Sequence, residues 1–115
     1  MDNQNEEIFG FKVGKEMFLT FCLEMVRKAG DRTQQICGKI LSEFMWNLGR
    51  FYSKGDDDKA REDLKNSIAD MYIALAMARM HFGIKEELDM AEAMERVAGL
   101  LEKDKEGKLW ETEEE

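Results

Sequence analysis

The fold of this chain is decided by residues 68–78, which read Ile-Ala-Asp-Met-Tyr-Ile-Ala-Leu-Ala-Met-Ala. Apolar residues recur here at intervals of three and four, and the pattern extends to both sides, which predicts one helix over about 59–82. Its two apolar stripes are Leu64, Ile68, Met71, Leu75, Ala78 and Phe82, and beside them Ala69, Ile73, Ala76 and Met80. A helix that is apolar on two faces needs partners on both, either other helices or a second subunit.

Three more helices are predicted around this one. The first spans about 13–28, with Met17 and Phe21 facing inward, and Gly30 ends it. The second is capped by Asp31 or Thr33 and continues to about residue 52, where a loop over 53–58 leads into the next helix cap. The last spans about 85–103. Short links between long amphipathic helices predict an all-α fold, an antiparallel bundle of four main helices.

Composition agrees with a helical domain and limits its function. The 115 residues contain no proline, and they divide into a lead-in over 1–12, a single helical domain over 13–103 and a charged, acidic tail over 104–115. A formal net charge of -8 argues against binding to a nucleic-acid backbone. Neither a membrane span nor a secretory signal is predicted, because no apolar run is long enough and the amino terminus is polar. Cys22 and Cys37 lie within apolar patterns and are expected to be reduced core residues of a cytoplasmic protein.

Two isolated acids point to a metal site. Asp70 is the only charged residue of 68–78, and Glu43 is the only charged residue of 40–49. A buried carboxylate without a partner costs several kcal/mol, so each acid is expected to be paired, protonated or metal-bound. If the two helices pack antiparallel, both acids can reach one groove and hold Mg²⁺, which prefers oxygen ligands. The alternative is a buried ion pair with Lys39, Arg50 or Arg79.

The order of these features resembles the MazG-like all-α nucleoside triphosphate pyrophosphohydrolases. The resemblance covers about 15–103, and the residues that carry it are Gly30, Gln34 or Gln35, the helix around Glu43 and Leu48, Gly55, the run Ser67-Ile68-Ala69-Asp70-Met71-Tyr72-Ile73, and Phe82-Gly83-Ile84. It implies a nucleoside triphosphate substrate and magnesium held by Glu43 and Asp70. It also implies a homodimer or higher homo-oligomer, because members of this family build their sites at helical subunit interfaces.

The chain departs from the family pattern at the acidic positions. The second acid of the family's Glu-x-x-Glu motif is replaced by Trp46 or Asn47, depending on the alignment, and the Glu of Glu-x-x-Asp is replaced by Ser67. About half of the family's acidic ligands are therefore missing, and Asn47, Glu62 and Ser67 are the candidate auxiliary ligands. Two functions stay open. One is magnesium-dependent hydrolysis of a nucleoside triphosphate to the monophosphate and pyrophosphate, with weak or lost activity. The other is a non-catalytic helical module for self-association or for a protein partner.

Overall fold

The computed structural model describes residues 12–55, 57–105 and 107, and within them the chain is all-α, with no strand. The helices are α1 (Lys15–Ala29), α2 (Thr33–Lys54), α3 (Asp58–His81) and α4 (Met90–Lys105), and a short 3-10 helix (Gly30–Arg32) joins the first two. By internal contacts the chain divides into two units, Met1–Lys85 and Glu86–Glu115, which are described separately below. None of the helices in the described ranges is long and apolar enough to cross a membrane.

Helices α2 and α3 form an antiparallel hairpin. Gly55 ends α2 with a φ of 79°, a left-handed conformation that glycine adopts without a steric penalty, and Asp57 is the N-cap of α3. The Asp57 side chain accepts a hydrogen bond from the Ala60 N–H at 3.2 Å, which confirms the predicted capping role of this loop. Three side-chain contacts join the helices at increasing distance from the turn: Arg50 to Asp63, Asn47 to Ser67, and Cys37 to the carbonyl oxygen of Ala74.

The join between α1 and α2 differs from the prediction. Helix α1 ends at Ala29, one residue before Gly30 as expected, but neither Asp31 nor Thr33 caps α2 with its side chain. The 3-10 turn instead leads directly into α2, and the Thr33 N–H donates to the carbonyl oxygen of Gly30. Thr33 is buried as the first residue of α2, so the chain reaches α2 without an open capping loop.

The core of the first unit is built on small residues rather than on the large ones of the predicted stripes. The buried apolar residues of the described chain are Cys22, Ala29, Ala60, Ala74 and Met77, and Thr33 and Ser67 are buried with them. On α3, small residues recur every seven positions and let α2 approach closely. The residues that were predicted to face inward but lie exposed are Met17, Phe21, Ile68, Leu75 and Phe82.

The second unit contains α4, which begins later than predicted. The Asp89 side chain accepts the Glu92 N–H at 3.0 Å, and helix starts at Met90 rather than near residue 85. The helix continues to Lys105, two residues past the predicted end. No residue of α4 is buried, and its exposed apolar side chains follow helical spacing at Met90, Met94, Val97 and Leu101. The predicted lead-in and tail lie mostly outside the described residues.

Candidate functional site

Glu43, Asn47, Ser67 and Asp70, four of the site residues predicted from sequence, lie along one side of the α2–α3 hairpin, where polar side chains border the contact between the helices. We call this set the polar seam: Lys39, Glu43, Asn47 and Arg50 of α2, and Lys59, Asp63, Ser67 and Asp70 of α3. Within each helix its members are three, four or seven residues apart, so they share one side of that helix. The seam is therefore positioned by the same periodicity that packs the hairpin.

At the centre of the polar seam, two of the candidate auxiliary ligands bind each other. The Asn47 Nδ2 donates a hydrogen bond to the Ser67 Oγ at 2.6 Å. Ser67 is buried, and this bond supplies a partner for its hydroxyl group. The structure thus brings Asn47 and Ser67 together, as the metal-site hypothesis requires. Their contact is equally what a polar link between two packed helices needs.

Nearer the turn, Asp63 forms ion pairs with two basic residues. Its carboxylate accepts from Arg50 Nη1 at 2.9 Å and from Lys59 Nζ at 3.2 Å, and both Arg50 and Asp63 are half-buried. The hydrogen bond from Arg50, followed by that from Lys59, holds the pKa of Asp63 below its ordinary value. Asp63 was not predicted as a site residue, because the largely charged residues 61–66 are typical of a solvated helix face.

Glu43 is exposed rather than buried, and its partner is one of the three basic residues named as alternatives. The Lys39 Nζ lies 2.9 Å from the Glu43 carboxylate, one helical turn away. The hydrogen bond to Glu43 raises the pKa of Lys39. Exposed pairs of this kind contribute less than about 1 kcal/mol. Glu43 is therefore not held in the core, and its carboxylate is accessible from solvent.

The burial predicted for Asp70 is wrong, because this residue is exposed. Its isolation in sequence reflects the small apolar residues around it, not its depth. The α2–α3 contact closes on Ser67 and Ala74, and Asp70 lies at the margin of that contact. No ion pair or side-chain hydrogen bond of Asp70 is present among the residues that the structure describes. The cost of a buried carboxylate without a partner therefore does not arise at Asp70.

The remaining candidates are arranged as follows. Glu62 is exposed and lies 3.3 Å from Lys65 on the surface of α3. Within the described ranges, no group of three or more His, Cys, Asp or Glu side chains is placed so that it could hold a metal ion. His81, at the end of α3, is half-buried and meets the ring of Phe82 edge-on at 4.8 Å. Cys22 is buried and Cys37 is half-buried, and burial raises the pKa of both thiols.

The Asp63 ion pairs predict a pH-dependent contribution to stability. A carboxylate whose pKa is lowered by folding stabilises the fold above its ordinary pKa, and that contribution is lost as the pH falls through the folded value. We expect Asp63→Asn to lower the free energy of unfolding at neutral pH, and the difference from the unaltered chain to narrow under acid conditions. Urea unfolding at a series of pH values measures this. In an Arg50→Gln background, Asp63→Asn should lower the free energy of unfolding by less. An equal loss in both backgrounds would contradict the assignment of this stability to the Arg50–Asp63 ion pair.

No protein-family model, no curated protein and no solved structure matches this chain. The MazG-like resemblance therefore stays a prediction that rests on the residues quoted for it.

Proposed function

We propose that this chain is a self-associating helical module of the MazG-like type, in which a second copy covers one exposed apolar face of α3. That face, which we call the α3 stripe, consists of Ile68, Tyr72, Leu75 and Phe82. The exposure of these side chains carries the proposal, since they are 43%, 41%, 59% and 57% exposed. Large apolar side chains that recur along one helix face and remain in solvent are typical of an interaction surface.

The position of the α3 stripe supports this proposal. Ala60, Ser67 and Ala74 face α2, and the α3 stripe lies roughly 100° round the helix axis from them. Ile68, Tyr72 and Leu75 are four and three residues apart, which is the spacing that pairs helices along an apolar seam. One face of α3 thus packs within the chain, and the α3 stripe presents a second apolar face of comparable length.

The small core gives a physical reason for association. Of the five buried apolar residues in the described chain, three are alanines, and Met77 is the largest. Burying a Leu or Phe side chain fully contributes about 1.5–3 kcal/mol, so covering a half-exposed one contributes roughly 1 kcal/mol. A second copy on the α3 stripe adds apolar burial that the first unit does not supply by itself.

Two finer parts of the architecture belong to the same proposal. They are the antiparallel bundle of four main helices and the membership in the MazG-like group. The antiparallel α2–α3 hairpin and the amphipathic character of α4 support the first. The quoted sequence motifs support the second. A homodimer is the form of association that we propose, since one closed pair is the commonest symmetric assembly.

Association predicts that thermal stability depends on protein concentration. A fold that is stabilised by a second copy melts at a higher temperature when more of the protein is present, by mass action. We expect the Tm to rise between about 1 and about 100 µM chain, a range that spans a micromolar dissociation constant. Circular dichroism measured with reversible unfolding checks this. A Tm that is the same at every protein concentration would contradict the proposal.

A second candidate function is a magnesium-dependent nucleoside triphosphate pyrophosphohydrolase with weak or lost activity. The accessible carboxylate of Asp70, which has no ion pair within the described residues, supports it. Magnesium on Glu43 and Asp70 would polarise the phosphates and activate a water molecule. Glu43 would first have to leave Lys39, and the neutral oxygens of Asn47 and Ser67 bind magnesium more weakly than carboxylates do. These contacts are the reason to propose low activity.

The expected result for this candidate is little or no release of pyrophosphate from the common nucleoside and deoxynucleoside triphosphates, with magnesium or manganese present. A pyrophosphate assay measures it, together with the change in Tm when metal and nucleotide are added. Robust turnover that is lost in both Glu43→Ala and Asp70→Ala, but kept in the control Asp31→Ala, would overturn the expectation. Hydrolysis of nucleoside triphosphates would then be the primary function of this chain.

A further inference from the structure

A groove lies between α1 and the end of α3, and its lining contains no residue of the polar seam. Its volume is about 370 Å³, and its walls are Leu19, Leu23, Ala76, Arg79, Met80, Gly83, Ile84 and Lys85. This volume lies in the range of pockets that take small molecules, at the lower end. The groove lies entirely within the first unit. Its lining residue Arg79 is four residues after Leu75 and three before Phe82, so the groove borders the α3 stripe.

Part of the groove wall is built by a hydrogen-bonded turn. The Gly83 N–H donates to the Met80 carbonyl oxygen at 3.3 Å, and the Ile84 N–H donates to the Arg79 carbonyl oxygen at 2.9 Å. Gly83 has a φ of 70°, which sends the chain back across the end of α3. Ile84 and Lys85 are thereby placed at the groove by backbone hydrogen bonds.

Two basic residues lie in the lining of the groove. Arg79 and Lys85 line it, and no acidic residue does, although the chain as a whole carries a formal net charge of -8. The Lys85 ammonium group has no ion pair among the residues that the structure describes. An apolar groove that carries a cationic side chain such as Lys85 is complementary to a molecule with an apolar body and an anionic head.

We propose that this groove binds a small amphipathic carboxylate. The apolar body would lie along Leu19, Leu23 and Met80, and the carboxylate would lie at Lys85. The limited volume favours a medium-length chain over a long one. Ligand binding and association are measured separately, by calorimetry and by sedimentation, so either proposal can fail in experiment without the other.

The test is calorimetric titration of the full chain with decanoate below its aggregation concentration, beside decanol and decyltrimethylammonium, which keep the chain length but change the head group. We expect decanoate to bind more tightly than both. Lys85→Ala should weaken decanoate binding by up to about fivefold and leave decanol binding unchanged, because a single exposed ion pair is lost. The matched control Lys54→Ala removes a lysine outside the groove and should change the binding of neither decanoate nor decanol.

Ala76→Trp fills the groove and should abolish binding of decanoate and decanol together. Circular dichroism establishes that each variant is folded, and Lys85→Ala, at an exposed position, keeps the proposal testable if Ala76→Trp does not fold. Equal binding of the three probes, or no binding of decanoate, would overturn the proposal. So would an Ala76→Trp variant that folds and binds decanoate normally. Absent decanoate binding with an Ala76→Trp variant that dissociates would identify the groove as a contact between copies instead.

Discussion

Met77→Ala is expected to lower the free energy of unfolding by about 2–5 kcal/mol, the usual effect of removing a long apolar side chain from a core. Met77 is only 1% exposed and is the largest of the fully buried side chains in the described chain. The other buried apolar side chains are small, so little of the surroundings can move in to fill the cavity. Urea unfolding at one fixed protein concentration measures the change, because association would otherwise add its own contribution.

The matched control for this prediction is Met17→Ala. Met17 is 65% exposed on α1, so the same chemical change there should alter the free energy of unfolding by less than about 0.5 kcal/mol. Similar losses at both positions would show that Met77 is not the centre of the core. They would also remove the argument that the chain has a small core.

Leu75→Glu is expected to convert the associated form into a monomer. Leu75 lies in the middle of the α3 stripe, and in a symmetric dimer the substitution places a carboxylate on each side of the contact. Burying a charge without a partner costs several kcal/mol. We therefore expect the dissociation constant to rise by at least about a hundredfold. Sedimentation velocity at several concentrations measures this directly.

Leu88→Glu makes the same change outside the α3 stripe. Leu88 lies between α3 and α4 and is 54% exposed, close to the exposure of Leu75, so the two variants differ mainly in position. We expect Leu88→Glu to associate as the unaltered chain does. If the two variants dissociate equally, a general loss of apolar surface would explain the effect, and the α3 stripe would not be the contact.

Much of the helical framework could be predicted from the sequence. The periodicity over 68–78 and the glycines at positions 30, 55 and 83 placed α1, α2 and α3 within about two residues at each end, the usual uncertainty of helix boundaries. The start of α4 was wrong by five residues, from Lys85 predicted to Met90 observed, because residues 85–88 continue an apparently helical charge pattern. The cap at Asp89 decides that boundary, and a single aspartate is a weak signal within an acidic run.

Which face of α3 is buried could not be predicted from hydrophobicity. The large residues Ile68, Leu75 and Phe82 look like a core stripe, yet Ala60 and Ala74 are the ones that face inward. Close packing of two helices favours small side chains at the contact, and the hydrophobic pattern does not report this. The same error explains Asp70, which was expected to be buried because its neighbours in sequence are apolar.

The candidate site was predicted in part. Asn47 and Ser67 were named as candidates, and the structure joins them by a hydrogen bond, but Asp63 was overlooked. A signal for it was present, since Arg50 lies three residues after Asn47 and Asp63 lies four before Ser67. In an antiparallel hairpin, one contact fixes the next, so Asn47–Ser67 implies Arg50–Asp63 one turn nearer the loop. The charges in the sequence alone could not distinguish the half-buried Arg50–Asp63 pair from exposed ion pairs.

The central claim is that a second copy of the chain covers an apolar face that one copy leaves exposed. Sedimentation equilibrium of the unaltered chain tests it most directly, because it reports mass without assumptions about shape. We predict a mass that approaches twice the 13.4 kDa of one chain as the concentration rises into the tens of micromolar, about the range set by a micromolar dissociation constant. A mass of 13.4 kDa at every concentration would contradict the claim.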